Sequence, residues 1–201
     1  KKSADGYMLV DDVEVYNVYD YADYCPTPNP VNKNDDNTVI MSVCSLWREG
    51  THYGWDFVAP YEEASPLWGF YDEGIPETAD WEIKYMVEHG IDAFQPCWYA
   101  GTNSADNPMK IARNNQYAIH DGYFNAKYSD LMKFTFMWEN NATNCYSLDQ
   151  FKEFIWPYWI DYYFLDDRYY TIDNKIVFTV WNYNNFKKAF GGTDALAKAA
   201  V

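Results

Sequence analysis

The stretch Ile91-Asp92-Ala93-Phe94-Gln95-Pro96-Cys97-Trp98-Tyr99 decides the fold. It is short and mostly apolar, and it follows a segment with a different period. There Ala79, Ile83, Met86 and Val87 recur at helical spacing, and Gly90 stands where the left-handed residue after a helix belongs. A helix running straight into an apolar strand is the second half of a βαβ unit. The first half lies upstream in Val39-Ile40-Met41-Ser42-Val43-Cys44-Ser45-Leu46-Trp47. That run alternates so little that a strand covered on both faces is expected. Pro96 is expected at or beyond the end of its strand, because it cannot donate to a ladder.

Working outward, Phe134–Trp138 supplies a third strand and Lys175–Trp181 a fourth. Helical signals fall between them. Asn107-Pro108 opens a helix reaching about Ile119. Ser147-Leu148-Asp149-Gln150 is a capping box, with Phe151, Phe154, Ile155, Tyr158, Trp159 and Tyr162 as one apolar stripe behind it. Pro157 inside the stripe predicts a kink. A last helix opens at Thr193-Asp194. Strands and helices in this order predict an α/β fold with a parallel sheet: about four βα units over residues 38–201, the N-terminal half of a (β/α)8 TIM-type barrel. Eight units at this pitch would need far more than 201 residues, so a half or a fragment is expected. Such a half would expose unpaired edges at its first and fourth strands, with Met41, Phe94, Phe136 and Phe178 on its inner face. Residues 1–37 read as an irregular leading segment or linker, Asp/Tyr-rich and then proline-punctuated at Pro26, Pro28 and Pro30.

Composition excludes several functions. Fifteen Lys and Arg stand against thirty Asp and Glu, a net charge of −15, which argues against nucleic acid and anionic membrane surfaces as partners. No apolar run is long enough to predict membrane insertion. Aromatic residues make up 20% of the chain, a load incompatible with disorder. Cys25, Cys44, Cys97 and Cys145 form no CxxC pair, so neither a zinc knuckle nor a thioredoxin-type site is expected. No HxxxH, EF-hand or phosphate-loop pattern occurs, and no metal or cofactor is expected.

Each strand finishes in an indole: Trp47, Trp98 (followed by Tyr99), Trp138 and Trp181. The carboxyl ends of parallel strands form the binding face of such sheets, so these rings are candidate stacking walls for a sugar. Polar groups accompany them: Glu49 and His52 after strand one, Gln95 within strand two, Glu139-Asn140 after strand three and Asn182 after strand four. Glycoside hydrolysis generally uses two carboxyl groups, and Glu139 is the best single candidate for a catalytic one. Asp72 and Glu73 rank lower, being in a loop before the first helix. The candidate substrate-binding set is Trp47, Trp98, Tyr99, Trp138, Asn140, Trp181, His52 and Glu49. His89 reads as a helix C-terminal residue, His120 has no informative context, and Asp166-Asp167-Arg168 reads as a solvated loop.

Several blocks occur in a telling order: Pro66-Leu67-Trp68-Gly69-Phe70-Tyr71-Asp72, then Trp81-Glu82-Ile83-Lys84-Tyr85, then Glu88-His89-Gly90-Ile91-Asp92-Ala93-Phe94, then Trp98-Tyr99. This series resembles the family 99-like glycoside hydrolases and the related group of O-antigen polysaccharide gene clusters. Phe136–Asn140 is similar to the family's strand with a Trp and an Asn, and Tyr170–Phe178 to its short hairpin before strand four. The resemblance spans roughly residues 39–185. It implies a (β/α)8 barrel acting on glycans, with endo-acting mannosidases as the characterised members. It also implies catalytic carboxylates later in the barrel, so no residue of this chain inherits that role. Where relatives often show Trp-Ala-Asn-Glu, this chain has Trp138-Glu139-Asn140-Asn141. The expected partners are a glycan or polysaccharide and the remaining half-barrel or a self-associating copy; the expected location is secreted, periplasmic or cell-surface. The alternative is a non-catalytic carbohydrate-binding or polysaccharide-assembly protein on the same fold.

Overall fold

A computed structural model of the chain describes residues 24–34, 36–45, 47–48, 54–101, 116–141 and 146–193. Its strands are β1 (Ile40–Val43), β2 (Ala93–Trp98), β3 (Lys133–Phe134), β4 (Met137–Trp138), β5 (Thr171–Ile172), β6 (Lys175–Ile176) and β7 (Thr179–Val180). β1, β2, β4 and β7 lie side by side in that order, all parallel, and β3 pairs with the first half of β2. The α/β class and parallel sheet expected from the strand–helix alternation are present.

Pro96 is inside β2, opposite Val43, rather than at its end. The reason is directional. Ala93 N–H donates to Val39 on the β1 side, so alternate N–H groups, including the position of residue 96, face the third strand. Proline leaves one rung of that ladder empty. The third strand accordingly splits into β3, opposite Ala93 and Phe94, and β4, opposite Cys97 and Trp98. β1 is shorter than expected and is not covered on both faces: Ile40, Ser42 and Cys44 are exposed, while Met41 and Val43 are half-buried. The expected fourth strand also contracts. Lys175 and Ile176 pair antiparallel with Ile172 and Thr171 around a two-residue turn, and only Thr179–Val180 joins the main sheet. Asp173 and Asn174 both hold positive φ (52° and 58°), which the right-handed twist of a two-residue hairpin demands.

α1 (Pro76–Glu88) matches its sequence signals, with Pro76 at the first turn and Ala79, Ile83, Met86 and Val87 buried. Gly90, at φ 76°, donates to Val87 O and Ile91 to Met86 O, which closes the helix as a Schellman motif. Asp80, also on the inner face, is fully buried and accepts from the backbone N–H of Lys127 (3.2 Å) and Tyr128 (2.8 Å). Burial pushes its carboxyl pKa up while those two bonds pull it down.

The capping box forms as read: Gln150 N–H donates to Ser147 Oγ and Ser147 N–H to the Gln150 side chain. The helical run 148–164 continues through Pro157, with π turns at Phe151–Ile155 and Ile160–Phe164 on either side of it. Those wider turns rotate the stripe, so Tyr163 is buried and Tyr162 is exposed. A final helix, Tyr183–Ala189, opens at Asn182, whose side chain accepts from Asn185 N–H. The expected helix after Asn107 lies mostly outside the described residues, as does the one after Thr193. Of the leading segment, residues 24–34 pack against α1: Val31 N–H donates to Val87 O and Asn29 N–H to Glu88.

Candidate functional site

Alternation along the strands divides the sheet into two chemically different faces. Helices cover one face. There Phe94, Trp98, Phe134, Phe136 and Trp138 are buried with Ile83, Ile155 and Trp159. Trp159 packs its ring 4.7 Å from Phe136, 5.3 Å from Trp98 and 5.6 Å from Trp138. Trp98 and Trp138 are therefore fully buried, and neither offers a ring to solvent; they plug the sheet–helix layer. Trp98 Nε1 donates to Tyr163 Oη at 3.0 Å, and His120 Nε2 lies 3.0 Å from the same oxygen. That network gives His120 its context, as a buried core histidine 8% exposed. Met41, Phe94, Phe136 and Phe178, expected on the inner face, pack with this helix-side core instead.

The other face is more polar and only partly open: Ala93, Gln95 and Thr135 are buried, Cys97, Met137 and Glu139 half-buried, and Ser42, Cys44 and Thr179 exposed. Ser42 Oγ donates to Gln95 Oε1 at 2.6 Å across β1 and β2, and Cys44 Sγ lies 3.3 Å from Tyr99 Oη. Cys97, Met137 and Thr179 are register partners across β2, β4 and β7. One step of two residues further, Glu139 N–H donates to Trp98 O and Trp181 N–H to Trp138 O. Tyr99, Glu139 and Trp181 thus stand in one row across the carboxyl ends of three strands, with the Glu139 position between those of the two aromatic residues. Trp181 is 62% exposed and Tyr99 and Glu139 are half-buried. Register explains why the strand-end tryptophans are not equivalent: Trp181 pairs with Glu139, one residue out of step with Trp98 and Trp138.

Asn140, expected to bind substrate, is fully buried and structural. Its side chain donates to Asn182 O (2.9 Å) and accepts from Asn182 N–H (2.7 Å), and its carbonyl accepts from Asn185 (3.2 Å). Glu49 and His52 lie outside the described residues. Trp47, well past the end of β1, stacks on Trp55 at 4.4 Å and donates its N–H to Glu73 Oε2 at 2.8 Å.

Glu73 was underrated by its loop position. It is 5% exposed and shares a cavity of about 380 Å³ with Glu82, walled by Trp68, Tyr71, Tyr85 and Phe94. Burial, with the neighbouring Glu82 charge, pushes the Glu73 pKa up to about 8; burial raises Glu82 to about 7. Two glycines let the Glu73 loop fit: a Cβ on Gly122 would overlap the Glu73 carbonyl, and one on Gly74 would sit 2.6 Å from Arg48 Nη2. Arg48 in turn pairs with Asp72 at 2.9 Å and lies 4.0 Å over the Tyr117 ring. In the sequence Glu82 stands out only as part of the block Trp81-Glu82-Ile83-Lys84-Tyr85, and nothing local signals that its carboxyl meets Glu73. Because Met41, Val43 and Phe94 line it, this cavity belongs to the helix-covered face, opposite the Glu139 row. Among the described residues, no three His, Cys, Asp or Glu side chains converge as a metal site requires, and no helix is long and apolar enough to cross a membrane.

Fold and faces together define an α/β protein on a parallel sheet, apolar towards its helices and polar on the opposite side. No protein-family profile and no curated protein matches the chain. Among solved structures, it is similar to the family 99 endo-α-mannosidase of Bacteroides thetaiotaomicron, determined with bis-tris-propane, at TM-score 0.49 and 14% identity. The match covers 74% of this chain and 43% of the mannosidase, so this chain spans less than half of that enzyme's length.

Proposed function

We propose that this chain acts on a glycan, as part of a glycoside hydrolase built on a (β/α)-barrel plan, with the sugar docking on the polar face at the row Tyr99–Glu139–Trp181. The observation that carries the reading is the register: a Glu flanked by a Tyr and an exposed Trp on neighbouring strands, at the carboxyl ends where parallel sheets bind ligands. A pyranose ring presents C–H groups to an aromatic face and hydroxyls at its rim. Trp181 supplies the face and Glu139 the acceptor, and in a hydrolase Glu139 serves as one of the two carboxyls.

The test is calorimetric titration with mannose-containing oligosaccharides, the class the sequence resemblance implies, and with a wider glycan panel. Trp181→Ala is expected to weaken binding by about 1–3 kcal/mol, the scale of aromatic stacking on a planar ligand. Glu139→Gln is expected to leave binding largely intact and to lower turnover at least tenfold, about 1.4 kcal/mol of barrier. Unchanged affinity in Trp181→Ala overturns the site.

The second reading is a non-catalytic glycan-binding protein on the same fold. It is favoured by one observation: the carboxyls whose pKa burial raises towards neutrality or above, Glu73 to about 8 and Glu82 to about 7, line the cavity on the other face of the sheet. Glycan binding with no hydrolysis by a protein that carries this chain within its whole barrel decides for it.

A further inference from the structure

Extending the β1–β2 register by one residue brings Cys44 opposite Cys97, since Val43 is paired with Pro96. In-register residues of parallel neighbours project to the same face, and the pair two residues earlier shows it directly: Ser42 and Gln95 hydrogen-bond across the strands at 2.6 Å. Cys44 and Cys97 thus stand side by side on that face, and Tyr99 Oη, the next group along it, is 3.3 Å from Cys44 Sγ. Neighbouring strands run about 4.8 Å apart, inside the Cα separation a disulfide spans. Both thiols are free, Cys44 is exposed and Cys97 half-buried, so the pair is open to a reagent from the polar side.

We infer that Cys44 and Cys97 are a thiol pair that closes to a cross-strand disulfide, with a low-molecular-weight disulfide such as oxidised glutathione as the oxidant. The exposed Cys44, as thiolate, attacks one glutathione sulfur; the S–S bond of the oxidant breaks, and one glutathione thiolate leaves. Cys97 then attacks the Cys44 sulfur of this mixed disulfide, the Cys44–glutathione bond breaks, and the second glutathione thiolate leaves. The two cysteines lose two electrons and the oxidant gains them; the two thiol protons pass through solvent to the glutathione thiolates. The order follows from access: Cys97 is half-buried, and desolvation raises its pKa, which suits it to resolve rather than to initiate. Closure would tie β1 to β2 at the end that carries Tyr99, in the row proposed to hold the sugar. The inference itself rests on the two strands alone, not on that role.

The experiment equilibrates the full chain with reduced and oxidised glutathione over a range of ratios. It then quenches with iodoacetamide and maps the peptides by mass. The expected result is loss of alkylation at Cys44 and Cys97 together and a linked peptide containing both, two hydrogens lighter than the reduced pair. In Cys97→Ser the expected product is a persistent glutathione adduct on Cys44, and in Cys44→Ser Cys97 stays mostly alkylated. Binding of mannose-containing oligosaccharides by the same variants reports separately on the glycan site, so failure of one leaves the other standing. The inference is overturned if wild-type Cys44 carries glutathione at every ratio without a Cys97 link, if both thiols remain alkylated at the most oxidising ratio, or if either is linked to Cys25 or Cys145.

Discussion

Replacing Glu73 by Gln isolates the cost of holding a carboxyl in the cavity between α1 and β1. The folded chain keeps the Glu73 proton up to about pH 8, first because burial penalises the charge and then because Glu82 shares the space; the Trp47 N–H bond opposes both. The unfolded chain releases that proton at its ordinary value of 4.5. Between those two pH values the folded state binds more protons, so stability is fully present below 4.5 and declines as pH rises to 8. At 1.36 kcal/mol per pK unit the ceiling is about 5 kcal/mol, and water entering around the ionised group brings the expected loss to about 2–4 kcal/mol. Gln has no proton to release, and its carbonyl can still accept from Trp47. Urea unfolding from pH 5 to 9 is the assay. Glu73→Gln should match the wild type near pH 5 and exceed it by about 2–4 kcal/mol at pH 8 to 9, leaving a shallower slope from Glu82 below pH 7. Parallel curves for the two proteins, or wild-type stability that climbs across this window, would refute the reasoning.

Trp98→Ala should cost about 3–5 kcal/mol in urea unfolding, as a large buried ring in contact with Trp159 does; a loss below about 1 kcal/mol would take Trp98 out of the core. Asn140→Ala removes both side-chain bonds to the Asn182 backbone and should lower stability by about 1–3 kcal/mol, with the amide of Asn182 losing protection from hydrogen exchange. Asn174→Gly should be neutral or slightly stabilising and Asn174→Val should cost about 1–2 kcal/mol, since only the former fits φ 58°; equal thermal midpoints would exclude a strained turn. Gly122→Ala forces a Cβ onto the Glu73 carbonyl and should both cost about 1–3 kcal/mol and alter the pH slope assigned to Glu73.

Local rules carried the elements whose signals are local. The spacing of Ala79, Ile83, Met86 and Val87 with Gly90, and the Ser147–Gln150 box, needed no information beyond a few neighbouring residues. Face assignment was less legible. Trp98-Tyr99 and Trp138-Glu139 read as joint strand-end features, yet adjacent strand residues point to opposite sides, so each pair splits between core and polar face. Only the register shows that Trp181 joins Tyr99 and Glu139. The Glu73–Glu82 pair was hidden for a different reason: one residue is in a loop and the other on a helix, and their shared cavity exists only after the loop folds back over Trp47. Tyr163 displaced Tyr162 from the buried stripe because π turns change the period on which stripe-reading depends.

The rung lost at Pro96 makes the sheet two mechanical units rather than one. Below it, β3 anchors Ala93 and Phe94; above it, β4 and β7 carry Glu139 and Trp181. A sheet with an uninterrupted ladder transmits strain along its whole length, whereas a gap at mid-strand lets the upper part twist while the lower part keeps its alignment. The carboxyl-end row therefore has a compliance of its own. A bulky ligand seated there can be accommodated by a small twist of β4 and β7 together with the upper end of β2, since the rung missing at Pro96 leaves no bond across the break.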